Sequence, residues 1–148
     1  MDLPMTTERL IARKEGAIGW VIFNNPQKRN AMSLEMYEAT AAALEDYARD
    51  PAIRVVILKG EGDKAFISGA DISQFKDRRS NAEQVKAAEA ISERCNKAVR
   101  ECPKPVIAMI RGYCMGGGLG IAVVCDLRIA SDDSRFGVPA AKLGVGYR

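Results

Sequence analysis

The spacing of apolar and polar positions changes along this chain, and each change marks an element. Residues 9–14 and 17–23 are β-rich and flank Glu15 and Gly16, a short turn signal, which predicts an opening hairpin. The Asn- and Pro-rich stretch 24–30 predicts a loop. Ser33 is then placed to cap a helix running to about Arg49, with Met36, Ala39, Leu44 and Tyr47 on one face and Asp50-Pro51 as its stop. Residues 53–58 form a β-branched run of the kind buried in a parallel sheet, followed by a turn at residues 60–63 and a short strand at 65–67. Ser80-Asn81-Ala82-Glu83 has capping-box spacing and opens a polar-faced helix reaching about Glu101, closed by Pro103 and Pro105. A buried strand at 106–110, a glycine-rich stretch, a helix to about Cys125 and a strand at 127–130 complete the pattern. Strands alternating with helices predict an α/β domain with parallel pairing.

Composition narrows the chemistry more than the fold. The 148 residues suffice for one domain, 1–148, and the 47% hydrophobic and 28% charged content is that of a folded globular chain. The 22 basic and 19 acidic residues are interspersed, which gives little support to nucleic-acid binding and fits an anionic small ligand slightly better. Cys95, Cys102, Cys114 and Cys125 form no CxxC pair, so no zinc knuckle or dithiol motif is spelled, and reduced thiols in a cytoplasmic protein are expected. No secretory signal is read at the N-terminus. Histidine is absent altogether, which removes Ser-His-Asp triads, Cys-His dyads and most catalytic zinc sites. Chemistry must come from carboxylates, backbone amides, hydroxyls, Lys or Tyr, and no metal is expected.

Residues 105–125 are long and apolar enough to raise a membrane span, with GxxxG spacing at Gly112/Gly116 and Gly116/Gly120. Arg111 near the middle and the cluster of glycines argue against it, so no membrane partner is expected. The glycines do not spell a P-loop or a dinucleotide fingerprint, because the GxGxxG registers starting at Gly116 and Gly118 end on Ile121 and Val123. A glycine loop opening into a helix presents unpaired amides and the positive end of a dipole, which suits a developing oxyanion. Tight helix packing explains the same glycines. The spacing alone leaves both readings open.

Phe66-Ile67-Ser68-Gly69-Ala70-Asp71-Ile72 followed by Gly112-Tyr113-Cys114-Met115-Gly116-Gly117-Gly118 resembles the paired signature of the crotonase (enoyl-CoA hydratase/isomerase) family. Further matching blocks are Asn24 to Ser33, Cys125 to Ala130 and Phe136 to Ala140. The resemblance implies a spiral of ββα units in which the backbone amides of Ala70 and Gly117 form an oxyanion hole for the oxygen of an acyl-CoA thioester. It also implies substrate contacts from Lys28, Arg29, Ala31, Ser68, Asp71, Ile72 and Tyr113, and a place in fatty acid metabolism. Coenzyme A then belongs to the substrate, and no separate cofactor is expected.

The chain departs from the family's pattern at two points. The positions of the two hydratase glutamates fall on Gly120 and Ala140, so both carboxylates are missing. Three readings follow: a decarboxylase-type lyase in which loss of CO₂ generates the enolate, an isomerase or hydratase in which Asp71, Ser68 or Tyr113 supplies the acid or base, or a non-catalytic acyl-CoA-binding protein. A scaffold without CoA affinity is the reading of a different class. The second departure is length: the sequence ends at Arg148, where the family continues into helices that cover the acyl pocket and join subunits. A domain truncated before its C-terminal helices, an exposed apolar patch, and a homotrimer or hexamer in a full-length form are the corresponding expectations.

Overall fold

The computed structural model of the protein describes residues 1–71, 82–139 and 142. Strands β1 (Leu10–Glu15) and β2 (Ile18–Phe23) form the expected antiparallel hairpin, with Leu10 opposite Phe23 and Glu15 opposite Ile18. Between β2 and the first long helix the loop contains a single 3₁₀ turn, Pro26–Lys28, for which Pro26 supplies the preset φ. Helix α1 (Leu34–Arg49) starts at Ser33, whose side chain accepts from the Met36 amide at 3.2 Å. Met36, Ala39, Leu44 and Tyr47 are all buried on it, as their spacing predicts. Its C-terminal carbonyls, Tyr47 and Asp50, accept from the Lys104 ammonium, which joins this helix end to the segment before the fifth strand.

From β3 (Val55–Gly60) onward the chain winds as a spiral. β3, β5 (Val106–Ile110) and β7 (Leu127–Ala130) extend the hairpin into a five-stranded sheet of order β1-β2-β3-β5-β7, every pair after the first being parallel. The strand following each of them, β4 (Ala65–Ile67), β6 (Tyr113–Met115) and β8 (Arg135–Gly137), goes to a second, three-stranded parallel sheet. Helices α2 (Ala82–Arg100) and α3 (Gly117–Val124) return the chain from the second sheet to the first. The first two turns of the spiral, β3-β4-α2 and β5-β6-α3, each contribute one strand to each sheet and one helix, the ββα repeat expected from the sequence, and β7 and β8 begin a third.

The start of α2 agrees with the predicted helix, while Ser80 and Asn81 of the capping box lie outside the described residues. β3 begins and ends two residues later than the pattern suggests, because Gly60 still pairs with Phe23. β6 and β8 carry no strand signal in the sequence. At three residues each, β6 between Gly112 and Gly116 and β8 ending on Gly137, they are held by their neighbours rather than by propensity.

The core lies among the two sheets and helices α1 to α3, and includes Phe23, Met36, Leu44, Tyr47, Leu58, Phe66, Ile67 and Ile121. Phe23 and Phe66 meet edge-on at 5.4 Å. Residues 105–125 are divided among β5, β6 and α3, and among the described residues no helix is long and apolar enough to cross a membrane. All four residues of β7 are exposed, and Met109, Val123, Leu127, Ile129, Phe136 and Val138 present apolar side chains to solvent. This is the exposed apolar surface expected from the sequence.

Candidate functional site

Three segments converge at the ends of the second sheet: the loop around residues 28–33, the turn after β4, and the glycine-rich entry to α3. The first is shaped by Asn30, which is fully buried and adopts a left-handed φ of 56° beside Arg29 at 49°. Its Nδ2 donates to the carbonyls of Glu61 (3.0 Å) and Ala65 (2.8 Å), and its Oδ1 accepts from the Asn25 amide at 2.9 Å. Asn tolerates this conformation better than most side chains, and here it also satisfies three backbone groups, two of them in buried bonds. Asn25 Nδ2 in turn donates to the Ala31 carbonyl at 3.1 Å.

The loop is then stitched to the turn after β4. The Ser68 amide donates to the Arg29 carbonyl at 3.1 Å, and Ser68 Oγ donates to the Lys28 carbonyl at 3.2 Å. Met32 and Ala70 form an isolated parallel bridge, in which the Met32 amide donates to Gly69 and the Asp71 amide donates to Met32. In such a bridge the residues on either side make both hydrogen bonds, so the N–H of Ala70 itself points away from Met32. Ala70 is exposed. Asp71 is the opposite case: its side chain is only 4% exposed and sits 3.3 Å from Lys28 Nζ and 4.0 Å from Arg9 Nη1. This pairing ties Lys28 to the turn while leaving its side chain nearly half exposed.

The glycine-rich segment supports both of its sequence readings at different residues. Gly116 has φ 55° and ψ −123°, a region open to glycine, and its amide donates to Gly137 at 2.8 Å. The first bond of α3 runs from the Gly120 amide to Gly116 at 3.1 Å, so the amides of Gly117, Gly118 and Leu119 have no partner inside the helix. Gly118 serves packing, since a Cβ there would lie 2.5 Å from Ile67 Cβ and 2.8 Å from its carbonyl oxygen. A Cβ on Gly116 would lie 3.9 Å from Gly69 Cα, so the entry to α3 abuts the turn that carries Ala70. Two backbone segments with amides unused by the helix or the bridge thus meet edge to edge.

Tyr113, on β6, lies under the guanidinium of Arg29, 5.3 Å from its centre. The structure therefore brings Lys28, Arg29, Ala31, Ser68, Ala70, Asp71, Tyr113 and Gly117 into one region, while Ile72 and Ala140 lie outside the described residues. Cys114, between Tyr113 and the glycines, is buried, and burial pushes its thiol up to about 11, so it is no thiolate nucleophile at neutral pH. Two residues that shape the site carry no functional signal in the sequence: Asn30, and Tyr37, whose hydroxyl lies against Gly117. No local pattern marks Tyr37, since it occupies an ordinary first-turn position of α1.

The family model for enoyl-CoA hydratase/isomerase matches residues 13–146. The chain is 34% identical over 141 residues to the short-chain-enoyl-CoA hydratase of Clostridium acetobutylicum, covering 95% of this chain and 53% of that protein. It is 36% identical over 140 residues to the mitochondrial 3-hydroxyisobutyryl-CoA hydrolase of Bos taurus, covering 93% and 36%. Among solved structures, an enoyl-CoA hydratase/carnithine racemase from Magnetospirillum magneticum superposes with a TM-score of 0.92 at 43% identity, covering 97% of this chain and 54% of that one. The enoyl-CoA hydratase of Bacillus anthracis gives 0.86 at 30% identity, covering 93% and 53%. The chain spans about half the length of the two hydratases. With its two-sheet ββα spiral and this match over most of its length, the chain belongs to the enoyl-CoA hydratase/isomerase (crotonase) family.

Proposed function

We propose that this chain forms a single acyl-CoA-binding unit that seats the thioester where the Ala70 turn abuts the entry to α3. The amides of Ala70 and Gly117 are the donors to the thioester oxygen. The observation that carries this reading is the meeting of the two segments: the Met32 bridge turns the Ala70 amide away, and the helix start leaves the Gly117 amide without a helical partner. Two preorganised amides stabilise charge on that oxygen as an enolate forms, and loss of one such donor lowers rate by about 10²- to 10³-fold. Lys28 and Arg29, on the loop stitched to the turn, are the cations for the phosphates of coenzyme A, and Tyr113 supports Arg29 from below. Ala31, Ser68, Asp71 and Ile72 complete the acyl-CoA contacts.

Gly120 and Ala140 at the family's glutamate positions favour chemistry that makes its enolate without a carboxylate base, such as decarboxylation of a malonyl-type thioester. Binding of acyl-CoA without turnover is the second reading that this substitution supports. The buried thiols fit a reducing, cytoplasmic setting, and the apolar surface at β7 fits a trimer or hexamer in a full-length form.

The test is calorimetric titration of the protein with butyryl-CoA, in parallel with crotonyl-CoA followed by loss of enoyl-thioester absorbance. Binding with little hydration is expected. Failure of the thioester to bind would overturn the proposal, and fast hydration would refute the reading that no hydratase acid and base are present.

A further inference from the structure

The first turn of α1 touches both proposed oxyanion donors. Met32, the residue before the capping Ser33, makes the bridge to Ala70. Tyr37, whose amide makes the first backbone bond of α1 to Ser33 at 3.2 Å, reaches across to the other donor. A Cβ built on Gly117 would clash with Tyr37 Oη, and among the described residues the only heavy atoms within 4 Å of that point, helix backbone and chain neighbours apart, are Tyr37 Oη and Cζ, the latter at 3.7 Å. Since a Cα–Cβ bond is about 1.5 Å, the phenol oxygen lies within about 4 Å of the Gly117 Cα. The ring is half-buried and packed against the core, which fixes where the hydroxyl sits.

Other polar groups near Gly117 make contacts of their own. Asp71 is paired with Lys28 and Arg9, Ser68 Oγ donates to the Lys28 carbonyl, and Cys114 is a buried thiol. The chain has no histidine, and Gly120 carries no side chain.

We infer that the Tyr37 hydroxyl is the proton carrier at the α-carbon of the bound acyl group, an inference that rests on the oxyanion reading above. In the forward step the phenol O–H bond breaks, the enolate C=C electron pair forms the new Cα–H bond, the enolate oxygen returns to a carbonyl, and the phenolate regains a proton from water. In reverse, the phenolate removes an α-proton and the enolate is held by the Ala70 and Gly117 amides. Placement of the carrier beside one oxyanion donor, on the helix whose start positions the other, keeps donor and acid in register.

The test is α-proton exchange of butyryl-CoA in deuterated water, read by mass spectrometry, with binding measured alongside. Wild-type protein is expected to exchange the α-protons faster than buffer alone. Tyr37→Phe should keep binding within about twofold, with exchange down about 10²-fold or more. Gly117→Ala, which keeps the amide and displaces the hydroxyl, should reproduce the loss. In the Tyr37→Phe background it should add little, because the nearest remaining ring atom is at an ordinary 3.7 Å. Unchanged exchange in Tyr37→Phe would overturn the inference while leaving the oxyanion reading standing. A wild-type protein that does not bind the thioester overturns both.

Discussion

Replacement of Asn30 by alanine tests how the loop that carries Lys28 and Arg29 is held. Asn30 is fully buried, and its amide makes three hydrogen bonds, to Glu61 O, Ala65 O and Asn25 N. Each is worth about 1 kcal/mol net, and an abandoned buried partner adds to that. The φ of 56° contributes separately, since a non-glycine residue without a polar side chain pays about 1 kcal/mol in the left-handed region. Asn30→Ala should therefore lower stability by about 4 kcal/mol, a large share of the roughly 5–15 kcal/mol typical of a domain. Asn30→Gly relieves the backbone conformation and loses the same three bonds, so it should fall about 1 kcal/mol short of the alanine variant's effect. Urea unfolding followed by far-UV circular dichroism measures both. A loss below about 1 kcal/mol for Asn30→Ala would show that these bonds do not hold the loop, and equal losses in the two variants would show that the left-handed backbone costs nothing there.

Gly118→Ala puts a methyl group 2.8 Å from the Ile67 carbonyl, an atom that cannot swing aside, and should destabilise by about 1–3 kcal/mol in the same unfolding assay. An alanine variant as stable as the parent would show that α3 does not pack on β4 as closely as described. The thiols should divide three to one. Cys95, Cys114 and Cys125 are buried, and burial pushes them up to about 12, 11 and 12, whereas Cys102 is partly accessible. A thiol-reactive chromophore at pH 8 should thus label one cysteine quickly in the native protein and all four in denaturant, and rapid labelling of more than one would contradict the burial.

Legibility of the sequence followed from how local each feature is. Helix α1 was readable because a capping Ser33, a one-sided run of Met36, Ala39, Leu44 and Tyr47, and the Asp50-Pro51 stop are all local signals. β3 and β5 were readable as apolar runs because each is inserted between two parallel neighbours. β6 and β8 were not, because three residues beside glycines carry too little pattern, and their pairing exists only once the spiral has wound. The paired motifs around Ala70 and Gly117 pointed to the family, and the structure adds that the two turns touch. Asn30 was read as one polar loop residue among several, since its three partners lie between 5 and 35 positions away. Tyr37 was invisible for the same reason: only the fold brings residue 37 to residue 117.

Difference vibrational spectroscopy of protein-bound butyryl-CoA labelled with ¹³C at the thioester carbonyl reads directly whether two backbone amides polarise it. Gly117→Pro removes one donor at a helix position that tolerates proline, and Gly117→Ala is its control, since it makes the same contact with Tyr37 but keeps the amide. The carbonyl stretch should be shifted to lower frequency in the wild-type and alanine proteins and returned toward the solution value in the proline variant. A bound thioester with its free-solution frequency, or a shift that survives Gly117→Pro, would contradict polarisation by the two amides.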